Sequence, residues 1–231
     1  MLLSAPMTDE ALQQRVRLFI FEHFLEHAAP PVLEQVMTEF SLSRSDAEAV
    51  LTDLETARHI ALVKGTARIL MAWPFSAVAT PFRTTVRGRT YFANCAWDAI
   101  AFHAMLGDDI AVDSFCHHCG KPIQIEMSEG HATRVDPPET LVYFARPPTE
   151  WWEDITTTCG NTMVFFASPE HRDESDLAGA DESNSLTPDQ TYTLSVPSYG
   201  TKLALDYARP SKEVYLAHWA AMGLSTGFWK L

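Results

Sequence analysis

Apolar positions in the first sixty residues recur with helical spacing. Over 8–26, Leu12, Val16, Phe19, Ile20 and Phe24 fall three or four apart, which predicts an amphipathic helix. A second helix is expected over 31–40, with Val32, Val36 and Phe40 on one face and Pro30 and Pro31 in its first turn. Ser43 offers an N-cap, with Asp46 three residues on as an acidic variant of the capping box. The helix it starts carries Ala47, Val50, Leu51 and Leu54 and should end near Arg58. IALVKGTARILMAW then places two apolar runs around Lys64-Gly65, a hairpin signal. Three helices followed by a hairpin form a winged-helix-like pattern.

After Arg58 the periodicity turns β-like. Pro74 and Pro81 mark a linker around 74–82, and FRTTVRGRTYFA alternates about a tight turn, as a second hairpin would. Residues 95–106 read as a helix that is apolar almost all round apart from Asp98 and His103, so it should be buried; Gly107 ends it. Strands are expected at 109–115, 121–127, 132–136, 140–145 and 162–168. Residues 170–190, with Gly179, Asp181, Ser183 and Asn184, read as a polar surface loop. A last helix is expected over 210–226, with Val214, Leu216, Ala217, Ala220 and Ala221. The closing GFWKL should pack, since Phe228 and Trp229 are costly to expose. The expected class is α+β: a winged-helix-like three-helix domain over 1–80, then a mixed or antiparallel β-sheet domain over 81–231 built around a buried active-site helix.

Composition narrows the function. The chain has 231 residues, 46% hydrophobic and 20% charged, an ordinary globular balance. Its net charge of -13 opposes phosphate backbones and anionic lipid. Asp46, Glu48, Asp53 and Glu55 on the third helix further oppose nucleic-acid contact, so that domain reads as a scaffold. No apolar run reaches the ~18–20 residues of a membrane helix. The opening MLLSAPMTDEALQQ lacks the features of a secretory signal. A cytoplasmic location with reduced thiols follows as the expectation, leaving Cys95, Cys116, Cys119 and Cys159 to be explained; two disulfides are the weaker alternative.

The most informative segment is TYFANCAWDAIAFHAML. Cys95 falls at the start of the buried helix, where the positive end of the helix dipole should depress its thiol toward thiolate. Asp98 lies one turn on, among Ala96, Trp97, Ala99, Ile100 and Phe102, and desolvation should raise its pKa. A nucleophilic sulfur beside a carboxyl able to carry a proton is an acid–nucleophile pair. The plainer reading of the same two residues is a buried, inert cysteine and a capping aspartate.

Cys-Ala-Trp-Asp after Arg-Gly-Arg-Thr-Tyr resembles the Cys-x-x-Asp signature of organomercurial (alkylmercury) lyases, the MerB-like family. In that family a second cysteine precedes an apolar Phe-Phe-Ala-Ser strand; here Cys159 precedes Phe165-Phe166-Ala167-Ser168. The resemblance covers roughly residues 10–170 and includes the winged-helix-like start. It implies cleavage of a carbon–mercury bond by protonolysis. Cys95 and Cys159 would bind mercury and Asp98 would relay the proton, itself lying in the metal's reach. The products would be a hydrocarbon and Hg(II). It further implies a small-molecule organomercurial substrate, no required cofactor, and release of Hg(II) to cellular thiols, which would also act as co-reductant, or to a mercuric reductase. Nucleic acid and membrane are not expected partners. The sequence departs from the pattern in a slightly longer step from Cys159 to Phe165, and in Gly160 where some members carry an adjacent cysteine.

FCHHCGKP holds Cys116 and Cys119 around His117 and His118, half of a zinc knuckle. No second Cys-x-x-Cys exists, and nothing in the spacing of His131 or His171 recommends them as further ligands. Three readings stay open for this pair: structural or inert, a metal site or auxiliary mercury relay, or a redox pair. The family usually has one buried structural cysteine near Cys116. His103 reads as a hydrogen-bonded core residue, Phe92 and Met163 as core, and Trp97, Trp151 and Trp152 as pocket walls or packing. Two other functions compete: a cysteine-based metal-sensing regulator with a winged-helix domain and no catalysis, and a diverged lyase acting on another organometal.

Overall fold

The computed structural model describes residues 8–179, 182–224 and 227–231. The chain forms two compact units. One comprises 1–78 with 203–207, the other 79–202 with 208–231. Three sequence expectations fall partly outside the described residues: the opening segment 1–7, Asp181 in the acidic stretch, and 225–226 at the end of the last expected helix.

The first unit holds α1 (Glu10–His27), α2 (Leu33–Phe40) and α3 (Arg44–Thr56), then β1 (Ala61–Leu62), β2 (Ile69–Ala72) and β3 (Phe75–Ser76). The strands form one antiparallel sheet in the order β1-β2-β3. Val16, Ile20, Phe21, Phe24, Val36, Val50, Leu51 and Leu54 fill its core, matching the helical stripes. Phe24 stacks on Phe75 at 4.9 Å. Ser43 caps α3 by accepting from the Asp46 backbone N–H.

Two expectations fail here. Pro30 and Pro31 precede α2 rather than open it, because Val32 takes the cap and Leu33 the first helical position. The stretch 74–82 is not only a linker: Phe75–Ser76 pairs with β2 as a third strand. The late segment Leu203–Tyr207 also belongs to this unit. Arg17, buried in α1, donates to the Ala204 carbonyl and lies 5.1 Å from the Tyr207 ring. Burial lowers the Arg17 pKa, with Tyr207 working against that shift.

The second unit begins with β4 (Arg83–Val86), β5 (Arg89–Phe92), α4 (Ala96–Leu106), β6 (Ile110–Phe115), β7 (Pro122–Ser128), β8 (His131–Asp136) and β9 (Leu141–Phe144). It continues with α5 (Ile155–Thr157), β10 (Met163–Phe166), α6 (Pro169–Asp173), β11 (Ser185–Leu186), α7 (Pro188–Tyr199) and α8 (Lys212–Ala221). An antiparallel five-stranded sheet runs β5-β4-β6-β7-β8, and a three-stranded one runs β10-β9-β11. Arg87 and Gly88 both have positive φ, as a two-residue hairpin turn of the I′ type requires. Along β7, Ile123, Ile125 and Met127 are buried while Gln124 and Glu126 face solvent, the period-two pattern of a half-buried strand.

α4 is buried almost all round and packs against α7, β4, β6, β9 and β10. Gly107, at φ 69°, closes it. The stretch 170–190 differs most from expectation. Instead of one loop it carries most of α6, a short 3-10 turn, β11 and the start of α7. Pro188 sits in the first turn of α7 and Thr187 with Gln190 forms its capping box, while Pro197 lies inside the helix. α8 ends at Ala221, short of the expected 226, and its one buried residue is Trp219. Trp229 is buried against Phe144, Trp151 and Trp219, so the tail packs. Phe92, expected in the core, is 36% exposed: Tyr91 takes the inward place on β5.

Candidate active site

Cys95 is the N-cap of α4 and leaves β5 through Ala93-Asn94. Its extended backbone lets Sγ accept from the Asp98 N–H at 3.3 Å. The same turn of helix brings the Asp98 carboxylate to the sulfur, with the Cys95 thiol donating to Oδ2 at 3.2 Å. Cys159 arrives from far along the chain. It sits in a wide π-helical turn over 158–162 that leads into β10, and β10 packs on α4. The sulfurs of Cys95 and Cys159 and a carboxylate oxygen of Asp98 all lie within 4.8 Å of one another. All three side chains are closed off from water, at 1%, 1% and 3% exposure for Cys95, Asp98 and Cys159. All four cysteines are free thiols.

Burial decides the electrostatics. Desolvation pushes the Asp98 carboxyl up to about 6, against hydrogen bonds from Tyr199, Cys95 and Asn94 and the charge of Lys202, which favour the anion. The direction expected for Asp98 holds. The expectation for Cys95 is overturned. Burial pushes its thiol well above the ordinary range, helped by Cys159 and by the Asp98 charge, and the N–H of Asp98 offsets this only in part. Here the loss of solvation and the neighbouring carboxylate outweigh the helix terminus.

The resting cluster therefore keeps the Cys95 thiol protonated and its carboxyl titrating near neutrality.

Tyr199 and Lys202 act on Asp98, and sequence reasoning singled out neither. Tyr199, at the end of α7, donates its hydroxyl to Asp98 Oδ1 at 2.6 Å. Its own pKa is raised well above normal by burial and by the Asp98 charge, so it acts as a neutral donor. The Lys202 ammonium lies 4.8 Å from the Tyr199 ring centre. The Trp97 indole donates to Ser195 at 2.8 Å, and its ring meets Phe144, Trp151 and Tyr199. Trp151 packs on Trp97 and Phe144, whereas Trp152 is paired with Arg209 at 4.9 Å. Met163 is buried as expected. His103 is a core residue with both nitrogens engaged, Nδ1 with the Asp108 carbonyl at 2.6 Å and Nε2 accepting from Gly130 N–H at 2.9 Å.

The second pair is not part of this cluster. Cys116 and Cys119 gather with His171, their ligand atoms also within 4.8 Å of one another. His131 stays on β8, exposed.

Two thiols and a protonatable carboxyl in a water-poor niche define a thiol-based site for a soft electrophile, one that can accept protons and return them. The chain belongs to the alkylmercury lyase family, whose model matches residues 75–200. It is 33% identical to an alkylmercury lyase of Bacillus cereus over 92 residues, 40% of this chain and 41% of that one. It is 32% identical to one of Streptomyces lividans over 91 residues, 39% and 41% of the two chains. The corresponding protein of Pseudomonas putida is 33% identical over 90 residues, 39% and 42%. The matched segment thus spans about two fifths of these relatives' length. In fold, the chain is similar to the crystal structure of the mercury-bound form of MerB2, with a TM-score of 0.62 at 20% identity, covering 83% of this chain and 89% of that one.

Proposed function

We propose that the protein is an organomercurial lyase that protonates the carbon of a carbon–mercury bond, with Cys95, Cys159 and Asp98 as the reacting residues. The observation that carries this reading is the meeting of two thiols and one carboxyl in a buried cluster. Mercury is soft and prefers thiolate to oxygen or nitrogen donors. Asp98, ionised in part at neutral pH, takes the Cys95 proton as Sγ bonds to R–Hg–X and X leaves. That proton departs with X. Cys159 then adds a second sulfur, and its proton passes to Asp98. The two thiolates raise electron density on the metal-bound carbon, which takes the proton from Asp98. The carbon–mercury bond breaks, giving R–H and Hg(II) held by both sulfurs. One carboxyl serves both transfers because it lies beside Cys95 and its pKa of about 6 lets it both take and give a proton near pH 7.

The reaction calls for no other cofactor. Cellular thiols or a mercuric reductase would take the Hg(II), which fits a cytoplasmic setting. Among the described residues no helix is long and apolar enough to cross a membrane. Residues 1–80 read as a winged-helix-like scaffold and 81–231 as the catalytic domain, apart from 203–207, which return to the first unit. The groove between α3 and the β1–β2 turn is lined by Glu48 and Glu55 with Lys64 alone as a cation, which disfavours a DNA-binding regulator.

The test is gas-phase detection of methane or benzene from methyl- or phenylmercury with excess thiol. The intact protein should release the hydrocarbon, and Cys95→Ala and Cys159→Ala should each lower release by at least about a thousand-fold. Full turnover by Cys159→Ala would rule out the two-thiolate mechanism.

A further inference from the structure

The second thiol pair has its own geometry. Cys116 through Lys121 make the turn between β6 and β7. Gly120, at φ 72°, takes the left-handed conformation a tight turn needs, and its N–H donates to the Cys116 carbonyl at 2.9 Å. The Cys116 N–H donates to the Lys121 carbonyl at 2.8 Å. These bonds curl the turn so that both sulfurs meet His171 of α6, which follows β10.

Nδ1 of His171 lies 3.6 Å from Sγ of Cys116 and 3.6 Å from Sγ of Cys119. A single ring nitrogen carries one N–H or one in-plane lone pair, so it cannot hydrogen-bond well to two sulfurs at once. A shared cation would satisfy both distances. Zinc bonds of ~2.3 Å to sulfur and ~2.0–2.1 Å to nitrogen at tetrahedral angles put the sulfur–nitrogen edge at about 3.6 Å.

We propose that Cys116, Cys119 and His171 form a zinc site with three protein ligands and a fourth position open to solvent. Binding replaces both thiol protons with the metal and takes His171 as the neutral ring, its proton on Nε2. The Ala167 backbone N–H, 3.4 Å from the Cys116 sulfur, supports the anionic form, as outer partners of metal thiolates do. Cys116 is buried and Cys119 is exposed, which leaves one side of the site accessible. Acidic groups surround it: Glu174 lies 3.5 Å from His118 and Asp176 lies 3.9 Å from His117. These carboxylates add negative charge on the exposed side of the site.

The ion would tie the β6–β7 turn of the five-stranded sheet to the segment after β10 of the three-stranded one. The His117 N–H already bridges to the Phe165 carbonyl at 2.9 Å there. β10 starts just past Cys159, so the site anchors the far end of the strand that follows that cysteine.

The 231-residue chain, loaded with zinc and dialysed, should hold one zinc per chain by elemental mass spectrometry. Cobalt(II) substituted for zinc should show thiolate-to-metal charge-transfer absorption. Cys119→Ser and His171→Ala, both outside the core, should each weaken zinc binding beyond about 100-fold, since even outer partners of a site contribute about 10–100-fold. The double variant Cys95→Ala/Cys159→Ala should keep its zinc. Absence of bound zinc, zinc retained by both Cys119→Ser and His171→Ala, or zinc lost with Cys95 and Cys159 instead would each overturn the proposal.

Discussion

Cys95 and Cys159 share their space with a carboxyl; Cys116 and Cys119 share theirs with an imidazole. Both pairs lie in the same unit, and each brings a sulfur near β6 or β10 together with one from elsewhere in the fold or turn. The first trio is closed off from water, and burial drives its Cys95 thiol and its carboxyl toward their neutral forms. The second is half open, with a carboxylate-rich rim. The difference teaches that thiol count does not set the chemistry. A buried carboxyl makes the inner trio a place where protons change hands. An imidazole and access to water make the outer one a place where a cation can stay.

The largest effect that would sharpen this contrast comes from Asp98→Asn. The amide keeps the shape of the carboxyl and can still accept from Tyr199, but it cannot relay a proton. Hydrocarbon release should fall by about 100- to 10,000-fold while one equivalent of mercury is still captured by the two sulfurs. Turnover near the parental rate, read by gas chromatography beside a mercury titration, would erase the distinction between the two trios.

Stability gives the second test. Asp98 titrates near 6 in the folded chain and near 3.8 when unfolded. Its folded pKa is the higher one, so its contribution is intact below about pH 4 and is lost as pH rises through 6. Two pH units correspond to about 3 kcal/mol. Asp98→Asn should therefore be more stable than the parent at pH 8, by up to about 3 kcal/mol, and should lose the parent's decline between pH 4 and 6. Urea unfolding at pH 4.5 and pH 8 measures it; equal slopes in both proteins would show that burial does not tune this carboxyl.

Tyr199 positions and tunes Asp98 without touching the mercury in the proposed reaction. Its hydrogen bond favours the anion, so Tyr199→Phe should move the acidic limb of the pH–rate profile upward by about one unit. An unmoved limb with a lowered rate would mean that Tyr199 only packs. The smallest effect belongs to the outer trio. Stripping zinc with a chelator should lower Tm by a few degrees, the scale expected when about 1–2 kcal/mol of linkage is removed. An unchanged melting curve with zinc demonstrably gone would leave the outer ion with no part in holding the sheets.

Much of this was legible in the sequence where periodicity or a short local motif carries the signal. The stripes of Val16, Ile20 and Phe24 and of Val50, Leu51 and Leu54, the Ser43 cap, and the buried helix from Ala96 to Leu106 depend on near neighbours alone. Cys95 and Asp98 are one helical turn apart, so their contact is also local. Cys159 entered through the Phe165-Phe166 flank, a resemblance rather than a spacing. What stayed hidden depends on long-range packing. α7 has a mixed polar sequence with an internal Pro197, yet it lies against α4 and delivers Tyr199 to Asp98 across 101 residues. His171 lies 52 residues from Cys119, and only the strand order places them together. The Cys95 thiol departs from expectation because the helix start and the burial of the helix are both legible, whereas their relative weight at one sulfur is not.

The excursion of residues 203–207 into the first unit has a consequence for how this polypeptide could be taken apart. Arg17 finds its carbonyl acceptor on Ala204, and Gln14 reaches Tyr207, so a fragment ending at Val78 would strand a buried guanidinium without that acceptor. The N-terminal piece is therefore no transplantable module. Evolution or an engineer wishing to graft it elsewhere would have to carry along a five-residue strap encoded more than a hundred positions downstream.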